Sequence, residues 1–443
     1  MKAVILAAGE GKRLRSHFNR PKPLVSLLGV PLIERNILTL KECNIKDFTI
    51  ITGCYEREIK EYLGNGEKLG VNITYLHNRD WQLGNGVSAY TYHKNYRQNE
   101  KFILLMADHL FQEEVIKNFL KQAPKINQNE IFLAADKDLD KVYDVEECTK
   151  IKAEGNLARE LGKDLQDFNA VDCGLFLGTK ALLNALSQAI SQNQYTLTAA
   201  VNLMAKQGKV KLHFIKGHWI DVDDPESYKQ AEKILLQALV PPKDGFISRT
   251  INRKFSLKIT KKLAKTKVTP NQITLLSFFT AVASSLFFAG LHPFWGGLLA
   301  QITSILDGVD GEIARLKFLK RKYGGLFDSI LDRYGDFIIV IGMGYAWYFT
   351  AESLLALLIC AAALSGIPMS MLFKEKFHTI AQTTYLPEKH DGLFRYLPAN
   401  RDGRLFIIML GGILNWIPAT LIILAIVTHL QTLFRLFNVR KFL

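Results

Sequence analysis

Between residues 307 and 332 the sequence sets four aspartates at helical spacing: Asp307-x-x-Asp310-Gly311-x-x-Ala314-Arg315, eight further residues, then Gly324-x-x-x-Asp328-x-x-x-Asp332. Offsets of three and four put Asp307 with Asp310 on one face of a helix, and Asp328 with Asp332 on one face of the next. Crowded carboxylates repel unless a cation lies among them, so the pattern asks for one or two divalent metal ions. Gly311, Ala314 and Gly324 remove side-chain bulk where a nucleotide would pass between helices, although small residues also serve plain helix packing. A salt-bridge network is the structural alternative, and Arg315 supplies only one of the countercharges it would need.

A second region able to do chemistry opens the chain. Leu6-Ala7-Ala8-Gly9-Glu10-Gly11-Lys12-Arg13-Leu14 is followed by Pro21-Lys22-Pro23-Leu24. Glycines let backbone amides approach a triphosphate, while Arg13 and Lys22 can neutralise its charge during attack on the α-phosphorus. The loop is neither a Walker A sequence nor a GxGxxG fingerprint, and a tight strand-to-helix turn would read the same way.

The elements that must position that loop alternate along residues 1–236. Short apolar runs such as AVILAA, DFTIITG, VNITYLHN and KFILLMAD are separated by amphipathic stretches such as PLIERNILTLKEC and REIKEYLG. Such alternation predicts an α/β, Rossmann-like sheet covered by helices, with ligands at the carboxyl ends of its strands. Five cysteines, Cys43, Cys54, Cys148, Cys173 and Cys360, stand singly without metal-ligand spacing, as reduced thiols would.

The four-aspartate pattern sits in different surroundings. Of the formal charge of +14, residues 1–240 carry 32 basic against 30 acidic residues, and the remainder 24 against 12. That basic remainder also holds long uncharged runs, Asn271 to Leu306, Phe337 to Ala351, Ser353 to Phe373 and Leu405 to Phe434. These are membrane lengths, which a soluble nucleic-acid-binding domain could not solvate, so a nucleic-acid partner is excluded. Six spans are expected, near 271–290, 293–316, 324–350, 353–373, 402–416 and 417–435, the fifth being short. Lys and Arg cluster before the first span, after the second, between the fourth and fifth, and after the sixth, so both termini are expected in the cytoplasm of a cell-membrane protein. The amino terminus lacks a signal-peptide pattern. Residues 237–267 form a basic linker whose Phe, Ile and Leu among Lys and Arg suit an interfacial amphipathic helix, with a solvated linker as the alternative.

The first region resembles the nucleotidyltransferases that join a sugar-1-phosphate or similar phosphate to a nucleoside triphosphate, across the whole of residues 1–236. The resemblance implies nucleotide contacts at Leu6, Ala7, Ala8, Gly9, Gly11 and Lys22, and at Asn85, Gly86 and Ser88 in Gly84-Asn85-Gly86-Val87-Ser88 for base and ribose. Arg13 and Lys22 are its expected catalytic cations. It implies metal-binding carboxylates at Asp108 and at Asp221 or Asp223, Asp221 being preferred because it directly ends an apolar strand. Lys163 and Asp172 fit the acceptor-phosphate and acceptor-hydroxyl positions, although Lys163 also reads as a solvated surface lysine.

The four-aspartate stretch resembles the signature of the CDP-alcohol phosphotransferases, with likeness over residues 268–435 of an all-α domain spanning 268–443. That family implies Mg²⁺, with Mn²⁺ as the alternative, on Asp307, Asp310, Asp328 and Asp332, and Asp332 also as the base. It implies cytidine diphosphate contacts at Asp307, Asp310, Gly311, Ala314 and Arg315, and at Asn271 and Thr274 in Thr269-Pro270-Asn271-Gln272-Ile273-Thr274. Together the halves resemble the bifunctional family that couples an inositol-1-phosphate cytidylyltransferase to a di-myo-inositol phosphate phosphate synthase, with CTP, inositol-1-phosphate and CDP-inositol as partners. The phosphate of the acceptor would then meet cations of the loop from Lys374 to Arg404, Arg401 and Arg404 among them, although any cytoplasmic loop is basic. A lipid acceptor, a different alcohol, or a nucleotidyltransferase on an inactive membrane anchor are the competing readings. Pairing of two copies through the membrane half is a further open expectation.

Overall fold

The computed structural model describes residues 1–241, 244–386, 390–392 and 400–441, and the chain separates into two compact units, Met1–Leu235 and Leu236–Leu443.

In the first unit the apolar runs become strands of a nine-stranded mixed sheet. Lys2–Ala7 lies between Asp47–Thr52 and Phe102–Met106, parallel to both, and Asn72–His77 extends that side. Ala170–Gly178 then runs antiparallel between Phe102–Met106 and Ile131–Asp136. Lys2–Ala7 is buried on both faces: Ala3, Ile5 and Ala7 enter one core while Val4 and Leu6 enter the other. That is why it reads as an unbroken apolar run rather than an alternating one.

Register decides where the polar residues emerge. Leu6 pairs with Met106, so the loop after Ala7 and the turn carrying Asp108 leave the sheet side by side, and the Ala107 amide donates to the Leu6 carbonyl at 3.0 Å. A short two-stranded ladder pairs His109–Phe111 with Trp219–Asp221 and sets Asp221 opposite His109. Two carboxylates about a hundred residues apart thereby reach one place.

The second unit is helical. After a π-helical turn at Ser248–Asn252 come a basic helix, Arg253–Leu263, and then Pro270–Ala289, Pro293–Leu316, Lys322–Ala351, Leu354–Ala381, Arg401–Ile413 and Ile417–Asn438. Thr269 and Gln272 form a reciprocal capping box around Pro270, which fixes where Pro270–Ala289 begins. Small residues allow close crossings: a Cβ at Gly297 would lie 2.8 Å from the Met409 carbonyl oxygen.

Helices occupy all six segments expected to span, yet among the described residues three are long and apolar enough to cross a membrane: Pro270–Ala289, Leu354–Ala381 and Ile417–Asn438. The reasons for the difference are local. Pro293–Leu316 and Lys322–Ala351 carry the aspartates and their neighbouring cations, which lower their hydropathy. Arg401–Ile413 has 13 residues, roughly 20 Å of helix against a hydrocarbon core of about 30 Å.

Candidate active sites

In the first unit the strand Lys2–Ala7 ends in the loop that leads to the helix Lys12–Phe18. Gly11 adopts φ 62° at the turn, and a Cβ there would lie 2.4 Å from the Lys22 Cβ. Glycine is therefore required both by the left-handed backbone and by the approach of Lys22. Lys22, only 6% exposed, reaches Asp108 at 2.5 Å, Asp221 at 3.8 Å, and also Asp223. Arg13 pairs with Asp223 at 3.1 Å, and the His109 ring lies 3.0 Å from Asp108 and 3.6 Å from Asp221.

These charges set one another's protonation. Burial alone would lower the Lys22 pKa, but Asp108, Asp221 and Asp223 outweigh it and hold the ammonium form. Asp108 is kept well below the usual carboxylate range, against its burial, by Lys22 and His109. His109 is raised to about 9, because Asp221 and Asp108 overcome its burial. Asp221 is raised to about 6 by burial, with repulsion from Asp108 adding to it.

Asp108, His109 and Asp221 each offer a ligand atom, all within 4.8 Å of one another, and Asp221 Oδ1 is buried without a hydrogen-bond partner. Two carboxylates, with an Asp221 oxygen that makes no hydrogen bond among the described residues and only longer ion pairs to Lys22 and His109, fit a hard divalent cation. Asp223 also pairs with Lys22, and in addition with Arg13. His109 was missed by sequence reasoning; its signal was adjacency to Asp108.

Beside this cluster lies a cavity of about 180 Å³ bordered by Arg13, Asn85, Lys163, Asp172 and Asp221. Lys163 is paired with Glu147 at 3.4 Å, and Asp172 accepts from the Gly174 amide at 2.7 Å. Burial raises Asp172 to about 6. Asn85 accepts from the Leu197 amide, and Asn78 donates to the buried Ser88 hydroxyl, so both side chains shape the fold of this edge.

In the second unit Asp307, Asp328 and Asp332 each bring a carboxylate oxygen into a group spanning less than 4.8 Å. Asp310 stands beside them, buried, and accepts from the Thr274 hydroxyl at 2.6 Å. Asp328 Oδ1 is buried with no hydrogen-bond partner among the described residues, which again fits a metal ion. Asp310 and Asp328 border a cavity of about 510 Å³ together with Asn271, Thr274, Gly311, Ala314, Arg315 and Gly324. Asp307 borders a different cavity, of about 520 Å³, with Arg333, Lys374, His378 and Arg401. The carboxylates thus stand between two chambers.

Countercharge reaches these carboxylates from a helix distant in sequence. Arg401 reaches Asp307 at 2.7 Å, Asp332 at 2.9 Å and Asp336 at 3.0 Å, and Arg404 reaches Asp336 at 2.6 Å. Both arginines, expected at an acceptor phosphate, are engaged by carboxylates; Arg404 is buried behind Asp336. Asp336 itself was missed, although it continues the four-residue spacing of Asp328 and Asp332. Of the other loop cations, Lys389 and Arg395 lie outside the described residues.

Two family models match the chain: nucleotidyl transferase over residues 2–238 and CDP-alcohol phosphatidyltransferase over residues 267–435. A protein of Aquifex aeolicus named bifunctional IPC transferase and DIPP synthase is 33% identical over 99% of this chain and 98% of its own length. A protein of the same name from Thermococcus kodakarensis is 32% identical over 99% and 97%. This chain belongs to the bifunctional IPC transferase and DIPP synthase family. Its soluble unit is also similar to the solved inositol-1-phosphate CTP transferase of T. maritima, at 26% identity over 53% of this chain and 95% of that one, with a TM-score of 0.46. Membership in a family of bifunctional enzymes agrees with two carboxylate constellations, one in each unit.

Proposed function

We propose that the chain carries out two reactions in series. Residues 1–236 join CTP and inositol-1-phosphate to give CDP-inositol and pyrophosphate. Residues 268–443 let a hydroxyl of a second inositol-1-phosphate attack the inositol-bearing phosphorus of CDP-inositol, giving phosphorylated di-inositol phosphate and CMP. The observation that carries this reading is the presence of two separate, complete carboxylate clusters in a chain matched end to end by relatives bearing both activities in their names.

In the first reaction Lys22 and Arg13 lie where they can take up negative charge as the α-phosphorus is attacked. Lys163 and Asp172 border the chamber that would hold the inositol phosphate. In the second, Asp310, Gly311, Ala314, Arg315, Asn271 and Thr274 border the chamber suited to cytidine diphosphate. Asp332 accepts the proton of the attacking hydroxyl. Arg333 and Lys374 border the neighbouring chamber, among carboxylates that include Glu375 and Asp402, and are the cations there that could meet an acceptor's phosphate. Magnesium held by Asp108 and Asp221, and by Asp307, Asp310, Asp328 and Asp332, would neutralise phosphate charge and leave oxygen sites for substrate. The reading includes a Rossmann-like first domain, a basic linker over 237–267, six spans with both termini and both sites cytoplasmic, and a homodimer through the membrane half.

The test is product identification with the detergent-solubilised chain, Mg²⁺, CTP and labelled inositol-1-phosphate. Label should reach CDP-inositol and then a phosphorylated di-inositol, with CMP released. CMP release that requires an added lipid alcohol would move the second reaction to lipid headgroup synthesis. CDP-inositol with no CMP would reduce the membrane half to an anchor.

A pH dependence follows from Asp172. Its carboxyl, raised to about 6 by burial, is charged above that pH and can then accept hydrogen bonds from inositol hydroxyls. KM for inositol-1-phosphate in the first reaction should rise as pH falls through about 6, and Asp172→Asn should give a raised KM without that step. Initial-rate profiles of pyrophosphate release check both.

A further inference from the structure

The basic helix Arg253–Leu263 turns an unexpected face inward. Asn252, Arg253, Ser256 and Thr260 are buried, while Phe246 and Phe255 are 65% and 53% exposed. Opposite them, the helix Pro293–Leu316 presents Gln301, Ser304, Gly308 and Glu312, whose spacing of three and four residues makes one stripe. The contacts follow in order along both helices. Gln301 donates to Asn252 at 2.6 Å, Asn252 donates to Ser304 at 2.9 Å, and Arg253 donates to the Gly308 carbonyl at 3.2 Å.

Glu312 is the centre of this contact. It is fully buried and accepts from Arg253, from Ser256 at 2.6 Å on the same oxygen, and from Thr260 at 2.5 Å on the other. Asp244 takes the remaining edge of the Arg253 guanidinium at 2.7 Å. The π-helical turn Ser248–Asn252 immediately precedes the contact; such turns redirect side chains at functional sites. Asn252, Arg253, Ser304 and Gly308 also border the chamber that Lys374 lines, whereas Ser256, Thr260 and Glu312 do not.

A plain apolar face would attach one helix to another without the desolvation cost of a buried ion pair. A polar network in which Glu312 is bonded on both oxygens adds something apolar packing does not, a single register and a single rotation. Rotation matters on this helix because Asp307, Asp310, Gly311 and Arg315 share it with Glu312. Asp310 lies about 200° around the axis from Glu312 at ~100° per residue. A turn of about 20° would carry a carboxylate ~5 Å from the axis through nearly ~2 Å, several times the tolerance of a metal site.

We propose that Glu312 and Arg253 are positioning residues: through them the basic helix sets the rotation of the Pro293–Leu316 helix and so presents Asp307, Asp310 and Arg315 to the CDP-alcohol and its metal ion. The inference rests on the reading of the second site given above. It separates parameters that a loss of folded protein would not separate. A shortage of folded molecules lowers kcat and leaves every KM in place. Misrotation of this helix weakens binding where Asp310, Gly311 and Arg315 border the nucleotide chamber, and disturbs less the chamber to which other helices bring Arg333 and Lys374.

The experiment is steady-state kinetics of the full chain in detergent, with CDP-inositol and inositol-1-phosphate supplied and Mg²⁺ varied. Glu312→Gln should raise both KM for CDP-inositol and the Mg²⁺ concentration for half-maximal rate by roughly 10-fold or more, the usual cost of losing an outer partner of a metal site. KM for inositol-1-phosphate should change less than either, because Arg333 and Lys374 reach its chamber from other helices. The milder pair Ser256→Ala with Thr260→Ala, which keeps both charges, should move the same two parameters in the same direction by less, and serves if Glu312→Gln does not fold. Lower kcat with unchanged KM and unchanged Mg²⁺ dependence in the variant that folds would overturn the proposal, as would wild-type kinetics throughout. Asp307→Asn, run alongside, must abolish the reaction; activity surviving there would overturn the second-site reading itself and this inference with it.

Discussion

Replacing Lys22 or Asp108 with alanine will stop CDP-inositol synthesis while the same preparation still releases CMP from supplied CDP-inositol. Lys22 Nζ lies 2.5 Å from Asp108 and 3.8 Å from Asp221, at the point where Arg13, Asp221 and Asp223 also converge. It is held as an ammonium by those carboxylates and is a buried cation able to meet the charge that develops on the α-phosphate. Removing a single group of this kind costs roughly 10²–10³ in rate. Asp108→Ala acts from the opposite side. It removes a carboxylate that Lys22 and His109 keep ionised, and with it a ligand for the cation that the phosphates need. Neither variant touches the second unit, whose carboxylates belong to a separate compact body. CTP-dependent pyrophosphate release and CMP release, measured on one sample, check the split. Equal loss of both activities in folded protein would contradict it.

Asp332→Asn should do the converse, so that CDP-inositol accumulates and little CMP appears. The substitution keeps the shape of the side chain and removes a negative charge and a proton acceptor. Asp332 lies within 4.8 Å of Asp307 and Asp328 and 2.9 Å from Arg401, so the change also leaves Arg401 with fewer counterions. General-base assistance is worth roughly 10²–10⁴ in rate, and the fall in CMP release should reach that range. If Asp332 acts mainly as a metal ligand, raised Mg²⁺ recovers much of the rate and raised pH does not; a proton acceptor gives neither recovery by Mg²⁺. Normal CMP release at ordinary Mg²⁺ would remove Asp332 from the mechanism.

Much of this arrangement was legible because it is local. The apolar strand Lys2–Ala7, the glycine turn and Lys22 stand within about twenty residues, and the four aspartates declare their common face by helical spacing. What sequence reasoning missed depends on distant segments meeting. Arg401 and Arg404 read as free loop cations, yet the fold places them on Asp336, Asp332 and Asp307. His109 joins the first cluster because the antiparallel register of a short ladder brings Asp221 opposite it. The interfacial reading of the basic helix concerns its apolar residues; that its opposite side is a buried polar one could not be read locally, because the neighbouring helix supplies Gln301, Ser304 and Glu312 as partners. The six expected spans located the six helices, but charge carried for chemistry and the shortness of Arg401–Ile413 separate three of them from ordinary membrane helices.

The central claim is that one chain makes a CDP-alcohol at one site and consumes it at the other. A rapid-quench time course with wild-type chain, CTP, Mg²⁺ and labelled inositol-1-phosphate tests it most directly. Pyrophosphate release should begin at once, labelled CDP-inositol should rise and then fall, and CMP should follow with a lag that vanishes when CDP-inositol is supplied at the start. CDP-inositol that rises to a plateau with no CMP, or CMP that appears without dependence on CDP-inositol, would contradict the account.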